Sequence, residues 1–491
     1  MKNRVTIAII LSLLIVSSIV VVGITQNWFS GEQPETPETP EEPETPEEPE
    51  TPETPEEPEQ PEDSPINLIL EVYGNADMDD IIDNKDVECV QAIIDGNADA
   101  TQFADANNDG TIDSNDIEQI NALLAGDASF VTLLDGNGKI LTVSLPVNRI
   151  FVEYLCNAEL VRVLDLEDKV IGIDYAVDML KSFYFPERGD DLICIGNMYT
   201  PDYEAVLAAD PDVLLTFSKA TEEKAEKLPG VDVVFLGLYY PNVTAPEDSS
   251  FVQGILKAGY IFNRVTESRD YVEWLLDLTD MLSSQTTNLD ENEKPVVFMS
   301  NYPYTESTAV KAYATVDTLG QVCILAGGAN IGRNLPGYFN SSSITVDAEW
   351  IMESNPEYIV LHTVRYTYGG SMRDDPAQGY DVDDPTSLQT CVAEYMAKPE
   401  FANMDAVKNG NVFIIAGDFR NNAMGGTLGA VYLAKILHPD LFTELDPEAV
   451  HQEYITRFLG LDYSLDEHGA FLYPALNINN DLVGIPNNSG E

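Results

Sequence analysis

Two short segments carry oxygen-bearing side chains at the spacing that a calcium ion requires. Segments 75–86 and 105–116 repeat at an offset of 30 residues, and each leads into a similar stretch, DVECVQAIIDG and DIEQINALLAG. Calcium takes side-chain oxygens from loop positions 1, 3, 5, 9 and 12 and a backbone carbonyl from position 7. The sequence therefore predicts two calcium sites, with ligands Asn75, Asp77, Asp79, Ile81 (carbonyl), Asp83 and Asp86 in loop one and Asp105, Asn107, Asp109, Thr111 (carbonyl), Asp113 and Asp116 in loop two.

The two loops differ at the positions that decide affinity. Loop two has Gly110 at position 6, where the chain must turn sharply. Loop one has Asp80 there instead, and Asn75 replaces an aspartate at position 1. We therefore expect weaker calcium binding at loop one.

Two such loops, each followed by one helix, resemble a dockerin rather than a paired EF-hand. The resemblance covers residues 66–128. It implies attachment to a cohesin-bearing surface protein, through helix faces and the residues at loop positions 10 and 11: Asn84, Lys85, Ser114 and Asn115. A calcium-stiffened spacer is the competing interpretation.

Other chemistry is disfavoured by composition. The chain carries a formal net charge of −59, which excludes nucleic acid as a partner and docking to anionic lipid through a basic patch. Its five cysteines form no close pair, and its four histidines are not spaced as a local ligand pair. There is no nucleophile elbow, Walker loop or HExxH motif, so we expect no enzyme.

The elements after residue 129 alternate between short apolar runs and helical stretches, which predicts an α/β fold with parallel sheets. Five candidate strands precede a helical segment at 267–284 and three follow it, so two lobes joined by one helix are expected. A second repeat supports this division, since DYEAVLAADPDVLL (202–215) aligns with DAEWIMESNPEYIV (347–360) at an offset of 145 residues.

The large C-terminal part resembles the solute-binding proteins of ABC importers for iron-siderophores, haem and cobalamin. The resemblance lies in LPVNRIFVEYLCNAELVRVLDLEDKVIGIDYAV, in the two repeats, in LGQVCILAGGANIG and in MDAVKNGNVFIIAG. It implies two Rossmann-like lobes bridged by a long helix, the class III solute-binding fold. It also implies that Glu204 and Glu349, one acid per lobe, dock on the importer's membrane subunits. The alternative is that each acid only stabilises the start of its helix.

Ligands in such sheets collect beyond the carboxyl ends of the strands. The candidate ligand-binding residues are Tyr154, Tyr175, Asn197, Met198, Ser218, Tyr239 and Tyr240 on lobe 1, and Asn301, Tyr302, Tyr304, Arg333, Thr363, Arg365, Tyr366, Asp418 and Arg420 on lobe 2. Aromatic rings with a hydroxyl group suit a flat or macrocyclic organic ligand, and arginine suits carboxylate or phosphate groups. Any one tyrosine could equally serve ordinary packing.

The N-terminal part predicts a tether. Lys2 and Arg4 precede an apolar run from Val5 to Gly23, long enough to span a membrane with the rest of the chain outside. A cleaved signal peptide is the alternative. Prolines at every third position from Pro34 to Pro61 predict an extended polyproline segment, either a stalk or a disordered spacer.

The predicted organisation is thus an anchor (1–31), a Pro/Glu/Thr-rich linker (32–65), a small α dockerin-like calcium domain (66–128) and a two-lobed solute-binding domain (129–491). Within the last, lobe 1 is expected at about 129–250 and lobe 2 at about 290–491. The leading hypothesis is an extracellular, membrane-tethered receptor that captures a metal chelate for an ABC importer. The alternatives are a surface scaffold assembled through the dockerin and a dockerin-bearing polysaccharide-active enzyme.

Overall fold

The computed structural model describes residues 66–239, 242–302, 310–363, 377–421, 424–479 and 481–487. The predicted anchor (1–31) and the proline-rich segment (32–65) lie outside these residues. Within the described ranges, no helix combines the length and the apolar character needed to cross a membrane.

Each repeated loop ends in a helix that begins at an aspartate. Helix α1 (Asn84–Ile94) follows loop one, and α2 (Ser114–Ala125) follows loop two. The N-cap residues Asp83 and Asp113 accept hydrogen bonds from the first turn, and the aspartate three residues later bonds back to the N-cap backbone. This reciprocal capping fixes where both helices start. The repeat seen in the sequence is thus also a repeat of backbone structure.

Residues 66–128, which contain the two loops and their helices, are called the loop module below. A β-hairpin that was not predicted joins this module to lobe 1. Strand β1 (Phe130–Leu134) pairs antiparallel with β2 (Ile140–Ser144). The Tyr73 N–H donates to the Thr132 carbonyl at 2.9 Å, so the chain before loop one runs alongside β1.

Lobe 1 contains a five-stranded parallel sheet of order β5-β4-β3-β8-β9. The five strands predicted for this lobe are confirmed: β3 (Ile150–Val152), β4 (Val170–Ile173), β5 (Ile193–Cys194), β8 (Val213–Leu215) and β9 (Asp232–Val234). The connecting elements are α3 (Leu155–Val163), α4 (Tyr175–Met179), α5 (Lys181–Tyr184), the hairpin of β6 (Gly196–Asn197) and β7 (Thr200–Pro201), α6 (Tyr203–Ala209) and α7 (Thr221–Lys227). Central strands β3 and β8 are buried throughout, as expected where helices cover both faces.

Two helices lead from lobe 1 to lobe 2. Helix α8 (Ser250–Phe262), which the sequence analysis missed, is mostly buried, and α9 (Val265–Thr286) is the predicted bridging helix. Tyr271, Leu275 and Leu282 of α9 are buried at helical spacing. The long connection between the lobes is confirmed.

Lobe 2 contains a mixed five-stranded sheet of order β12-β10-β14-β15-β16. The three predicted strands are its parallel centre: β10 (Val296–Asn301), β14 (Tyr358–His362) and β15 (Val412–Ile415). Four features of this lobe were not predicted: the parallel strand β12 (Ala329–Asn330), the antiparallel strand β16 (Leu472–Tyr473), the antiparallel pair of β11 (Val310–Tyr313) with β13 (Ser343–Val346), and the hairpin of β17 (Leu476–Ile478) with β18 (Asp481–Val483). The helices are α10 (Thr318–Leu325), α11 (Ala348–Ser354), α12 (Thr386–Met396), α13 (Asp405–Asn409), α14 (Asp418–Asn421), α15 (Gly425–Leu437) and α16 (Pro447–Glu453), the last continued by a π-helical turn (Tyr454–Phe458).

The loop module packs directly on lobe 1 and the bridging helix, within a compact unit that spans Glu62–Glu491. Leu70 and Val72 are buried in the same apolar cluster as the helices of lobe 1. The Ile82 N–H donates to the Tyr260 hydroxyl at 2.8 Å, and Asp80 pairs with Arg269 of α9 at 2.7 Å. Loop one is therefore fixed to α8 and α9.

Candidate ligand-binding site

A buried charged pair lies where the strands of lobe 1 end. Glu153, directly after β3, is 0% exposed, and Lys224 of α7 is 2% exposed. The Lys224 ammonium donates to both Glu153 oxygens at 2.5 and 2.6 Å, to the Met198 carbonyl at 2.7 Å and to Thr216. Burial raises the pKa of Glu153 and lowers the pKa of Lys224, because each charge is removed from water, whereas their contact opposes both shifts. The pair ties β3, β8 and α7 together beneath the candidate site.

Tyr154 follows this pair in a strained backbone conformation. Its φ of 71° and ψ of 160° lie in a region that is almost confined to glycine. Its backbone N–H is hydrogen-bonded to Asp174, a carboxylate whose pKa burial raises to about 7. Such strain persists only where the surrounding structure holds it, and it concentrates at functional sites. Here it sets the direction of the Tyr154 ring.

Three half-buried rings form what we call the aromatic shelf: Tyr154, Phe217 and Tyr239. Tyr154 packs against Phe217 with ring centroids 4.3 Å apart, and Tyr239 lies 5.4 Å from Tyr154 and 4.9 Å from Phe217. Tyr199, which is 45% exposed, extends the shelf at 6.3 Å from Phe217. The prediction included Tyr154 and Tyr239 but missed Phe217 and Tyr199. Phe217 closes the predicted strand run DVLLTF and could have been found from that position.

Arg420 of lobe 2 is held in place by an acid and an aromatic ring of its own lobe. Its guanidinium contacts Asp317 with Nε–O distances of 3.0 and 3.1 Å and an Nη2–O distance of 2.6 Å, and it lies over the Tyr313 ring. Burial would lower the pKa of Arg420, but the Asp317 contact outweighs it and the pKa is raised, with smaller contributions from Tyr313 and Tyr239. Since Tyr239 belongs to lobe 1, the predicted residues Tyr239 and Arg420 interact electrostatically across the lobes.

His362, at the end of β14, lies behind Arg420. It is 1% exposed, and its Nδ1 is 3.2 Å from the Tyr313 hydroxyl. Burial and the nearby Arg420 charge hold the pKa of His362 well below its ordinary value, so the ring is neutral. The sequence analysis gave His362 no role in the site.

The remaining lobe 1 candidates surround the shelf. The Asn197 amide oxygen accepts from the Tyr199 N–H at 2.8 Å, and the Ser218 N–H donates to Thr216 at 3.0 Å. Met198 contributes its carbonyl to Lys224, and Tyr175 is the first residue of α4.

The lobe 2 candidates are more dispersed. The Tyr302 hydroxyl donates to Glu394 of α12 at 2.8 Å. Arg333 lies 3.9 Å from Glu291, which precedes β10, so the structure does not bring Arg333 to the strand carboxyl ends beside Arg420. Thr363 and Asp418 are buried, and Asn301 is half-buried. Tyr240, Tyr304, Arg365 and Tyr366 fall outside the described residues.

Helix α3 holds the two lobes together on the side of the bridging helix. The buried Glu159 carboxylate accepts from the Tyr271 hydroxyl at 3.0 Å and from the Met424 N–H at 3.1 Å, where α15 begins. One turn later, Arg162 donates to the carbonyls of Leu459 and Gly460 at 2.9 and 3.4 Å. Glu159 thus lies at the N-terminus of α15, and Arg162 lies at the C-terminal end of the helical segment 447–458. Both arrangements are favourable, because a helix carries partial positive charge at its N-terminus and partial negative charge at its C-terminus.

The two predicted docking acids occupy matching surface helices. Glu204 lies in the first turn of α6 and Glu349 in the first turn of α11, and both are exposed. Each helix is capped by an aspartate, Asp202 or Asp347, whose side chain accepts an N–H at 3.0 or 2.8 Å. Among the described residues, neither glutamate has an ion-pair partner within 4.0 Å.

The calcium loops gather their carboxylates around backbone N–H groups. In loop two, Asp116 accepts from the N–H groups of Asn107 and Asp113 at 3.1 and 2.8 Å, and Asp105 accepts from Asp109 and Gly110. Across the described ranges, no group of three or more His, Cys, Asp or Glu side chains is arranged to hold a metal ion. These carboxylates bond to the backbone instead of converging on one point.

Two features of loop one nevertheless suit a cation. The amide oxygen of Asn75, at position 1, is buried and has no hydrogen-bond partner. Burial raises the pKa of Asp86, at position 12, to about 7, and Asp77 and Asp79 add to the shift. Oxygen-rich loops of this kind are stabilised when a divalent ion offsets the crowded negative charge. These two features, and not a converging set of carboxylates, are what loop one offers a cation.

Comparison with known proteins shows the family to which this chain belongs. The family described as "Periplasmic binding protein" matches residues 150–418, more than half of the chain. This chain is a periplasmic binding protein. Members of the family bind solutes and are not enzymes, so the expectation that the chain is not an enzyme is confirmed.

Individual relatives of this periplasmic binding protein are distant. The petrobactin-binding protein YclQ of Bacillus subtilis (strain 168) is 21% identical over 250 residues, or 50% of this chain and 69% of that protein. The TroA-like periplasmic binding protein FepB of Veillonella parvula has a TM-score of 0.54 at 18% identity, and the match covers 70% of this chain and 98% of that one. The molybdate-bound MolA of Haemophilus influenzae has a TM-score of 0.52 at 17% identity, and the match covers 68% of this chain and 99% of that one. The two structures show the fold alone and confirm the predicted class III solute-binding architecture.

Proposed function

We propose that this protein captures a bulky metal chelate, such as a ferric siderophore, haem or a cobalamin-like tetrapyrrole, and passes it to an ABC importer. Its family supports a solute-binding role, and its similarity to YclQ, a petrobactin-binding protein, supports a siderophore as the ligand. The observation that carries the proposal is the aromatic shelf of lobe 1, together with Arg420 of lobe 2, which interacts electrostatically with Tyr239 of the shelf. Ring faces suit a flat or catechol-rich ligand, and a fixed guanidinium suits its anionic groups.

Ligand titration with the purified chain tests this proposal. A ferric catecholate siderophore, haem and cobalamin are each added, and quenching of tyrosine fluorescence is followed. We expect at least one chelate to bind with a Kd of about 1 μM or tighter, the range of a well-packed site. Phe217→Ala should weaken binding about tenfold or more, because stacking on the central ring of the shelf is lost.

The matched control is Phe339→Ala, which removes a ring that is 71% exposed elsewhere on lobe 2. It should leave the chelate Kd unchanged. Binding confined to free ferric ion, molybdate, a neutral sugar or a peptide would overturn the chelate assignment. A wild-type chain that binds none of these ligands would favour the surface-scaffold alternative.

We also propose that Glu204 and Glu349 dock the protein on the two membrane subunits of the importer. Both acids are exposed at the first turn of equivalent helices, one on each lobe. The double change Glu204→Lys with Glu349→Lys should abolish chelate uptake in cells and leave the Kd of the isolated protein unchanged. The control pair, Glu226→Lys with Glu444→Lys, alters two other exposed acids. A weakened chelate Kd in the docking variant would mean that these acids belong to the ligand site.

Calcium in the two loops is a further part of the proposal. Loop positions 1, 3, 5, 9 and 12 would supply side-chain oxygens, and position 7 a carbonyl. Calorimetric titration of the calcium-free chain should show binding that Asp109→Ala weakens more than Asn75→Ala does. The control Asp99→Ala changes an exposed acid outside both loops. Identical thermal unfolding with calcium and with EGTA would contradict the proposal.

The tether and the cohesin partner remain proposals on sequence grounds. The periplasmic family supports an extracellular location, and on sequence grounds alone segment 1–31 would anchor the protein on the outer side of the cytoplasmic membrane. Asn84, Lys85, Ser114 and Asn115 are all exposed, so the positions that a cohesin would read are accessible. Cell fractionation, with and without residues 1–31, tests the anchor. A purified cohesin module that fails to bind the calcium-loaded chain would favour the spacer interpretation.

A further inference from the structure

Helices α6 and α11 are copies of one surface element. Every position from 201–211 has the same burial class as the position 145 residues later, in 346–356. Each helix has an aspartate N-cap and ends in a left-handed residue, Asp210 with φ of 51° or Asn355 with φ of 41°. The two helices therefore expose the same positions to solvent.

An exposed apolar side chain accompanies the glutamate on each copy. Leu207 is 40% exposed and Met352 is 37% exposed, and each lies three residues after its glutamate. Residues at i and i+3 share one face of a helix, so each acid and its apolar neighbour are adjacent. The position between them, Val206 or Ile351, is 0% exposed and fixes the helix to its lobe.

A single exposed leucine is ordinary on a protein surface. The same apolar exposure at equivalent positions of both copies is not explained in that way, because other exposed positions of the two helices differ in residue type. Exposed Ala208, for example, corresponds to exposed Glu353. What the copies share on their exposed face is the acid and the apolar residue one turn later.

We propose that Glu204 with Leu207, and Glu349 with Met352, form a duplicated docking element that binds two like protein surfaces, each with a cationic side chain beside a shallow apolar pocket. This inference rests on the proposed importer function and extends it from charge to packing. On a chain of net charge −59, the acids steer association, while the apolar contacts hold the complex once water is excluded. Leu207 and Met352 are thus specificity-determining contacts.

Two measurements on the full chain test the element. The first is chelate uptake by cells, together with the chelate Kd of each purified variant. Leu207→Asn with Met352→Asn should lower uptake about tenfold, the scale of losing an interface hot spot, with an unchanged Kd. Each single change should give an intermediate loss. The interchange Leu207→Met with Met352→Leu should retain uptake, because both side chains remain apolar and of similar size.

The matched control is Leu441→Asn, at a leucine that is also 37% exposed but lies outside both helices. Suppose that Leu207→Asn with Met352→Asn shows normal uptake while Glu204→Lys with Glu349→Lys shows none. This result would overturn the inference and leave the proposed function standing. A loss confined to one lobe would overturn the duplication.

The second measurement does not depend on the ligand. A photoreactive benzoylphenylalanine in place of Leu207, or of Met352, is cross-linked in cells, and the adducts are identified by mass spectrometry. Importer membrane subunits should appear from both positions and not from position 441. Absence of such adducts from either position would overturn the inference. Failure of the wild-type chain to bind any chelate would overturn only the proposed ligand.

Discussion

Glu153 and Lys224 show how one buried pair can shape a binding surface. The pair lies under the aromatic shelf and connects the end of β3 to β8 and α7. Neighbouring Asp174 holds the N–H of strained Tyr154, so the ring direction depends on the same group of buried acids. A substitution of these buried residues should therefore also change the affinity for the ligand.

Replacing one member of the buried pair should lower the free energy of unfolding more than the pair's joint replacement would suggest. Glu153→Gln or Lys224→Met leaves one charge buried without its partner, and each should lower the free energy of unfolding by about 3–5 kcal/mol. The double variant should lose much less than the sum of the two single losses. Urea unfolding of the four proteins measures this, and strictly additive losses would contradict a buried ion pair.

His451 should make the protein acid-sensitive. It is fully buried between the hydroxyls of Tyr380 and Tyr432, and burial lowers its pKa to about 3. An unfolded histidine titrates near 6.5, so stability from His451 is present above that pH and is lost as pH falls towards 3. Between pH 7 and pH 5, wild type should lose about 2 kcal/mol more than His451→Gln.

The control for this pH dependence is His468→Gln, since His468 is solvent-exposed. It should lose as much stability as wild type over the same pH interval in urea unfolding. An equal loss in His451→Gln would show that the acid sensitivity arises at other groups.

At the scale of elements, loop one and the bridging helix act as a unit. The residue that departs from the calcium motif, Asp80 at position 6, pairs with Arg269 of α9 and accepts from it through its carbonyl at 2.9 Å. Asp80 does not take the left-handed conformation that Gly110 has in loop two, where φ is 91°. The departure from the motif thus serves the contact with α9.

Calcium should consequently stabilise the packed helices α8 and α9 as well as the loop module. Because loop one shares its packing with α8 and α9, EGTA should lower the melting temperature of the main unfolding transition rather than of a separate small one. Asp80→Asn with Arg269→Met should reduce that calcium-dependent shift. The control Arg457→Met removes the contact of Arg457 with Asp270, also on α9, but not the contact with the loop. Two independent transitions in calorimetry would contradict the coupling.

At the scale of the whole molecule, the lobes are held by more than the bridging helix. Arg162 of α3, with a side chain only 5% exposed, donates to carbonyls of lobe 2 and pairs with Glu187 of lobe 1 at 2.6 Å. Together with Glu159 at the start of α15, it restricts how far the lobes can separate. A small opening amplitude follows.

Arg162→Ala should loosen the lobes. Its loss leaves the Leu459 carbonyl without this charged donor, a change worth about 1.5–3 kcal/mol. Hydrogen exchange should accelerate in α3 and residues 454–460, and the chelate Kd should rise because the binding-competent arrangement is less populated. Arg188→Ala is the control, since Arg188 donates to the Glu167 carbonyl within lobe 1. Unchanged exchange at 454–460 would contradict this role.

The sequence by itself determined the elements of this protein whose signal is local. Apolar runs predicted eight strands of the two large sheets, helical spacing predicted α9, and two internal repeats predicted the paired loops and the matching helices α6 and α11, because each depends on residues close together in the chain. Two-residue strands such as β12 and the small hairpins carry too little pattern to be recognised.

Only the tertiary structure decided which of these residues meet. Glu153 and Lys224 are 71 residues apart, and Glu159 and Met424 are 265 apart, so no spacing rule could pair them. It also separated Arg420, which interacts electrostatically with Tyr239 of the shelf, from Arg333, which lies beside Glu291 before β10. Strand-end rules identify the edge of a sheet where ligands bind, but the direction of each side chain is set by packing between lobes that are distant in sequence.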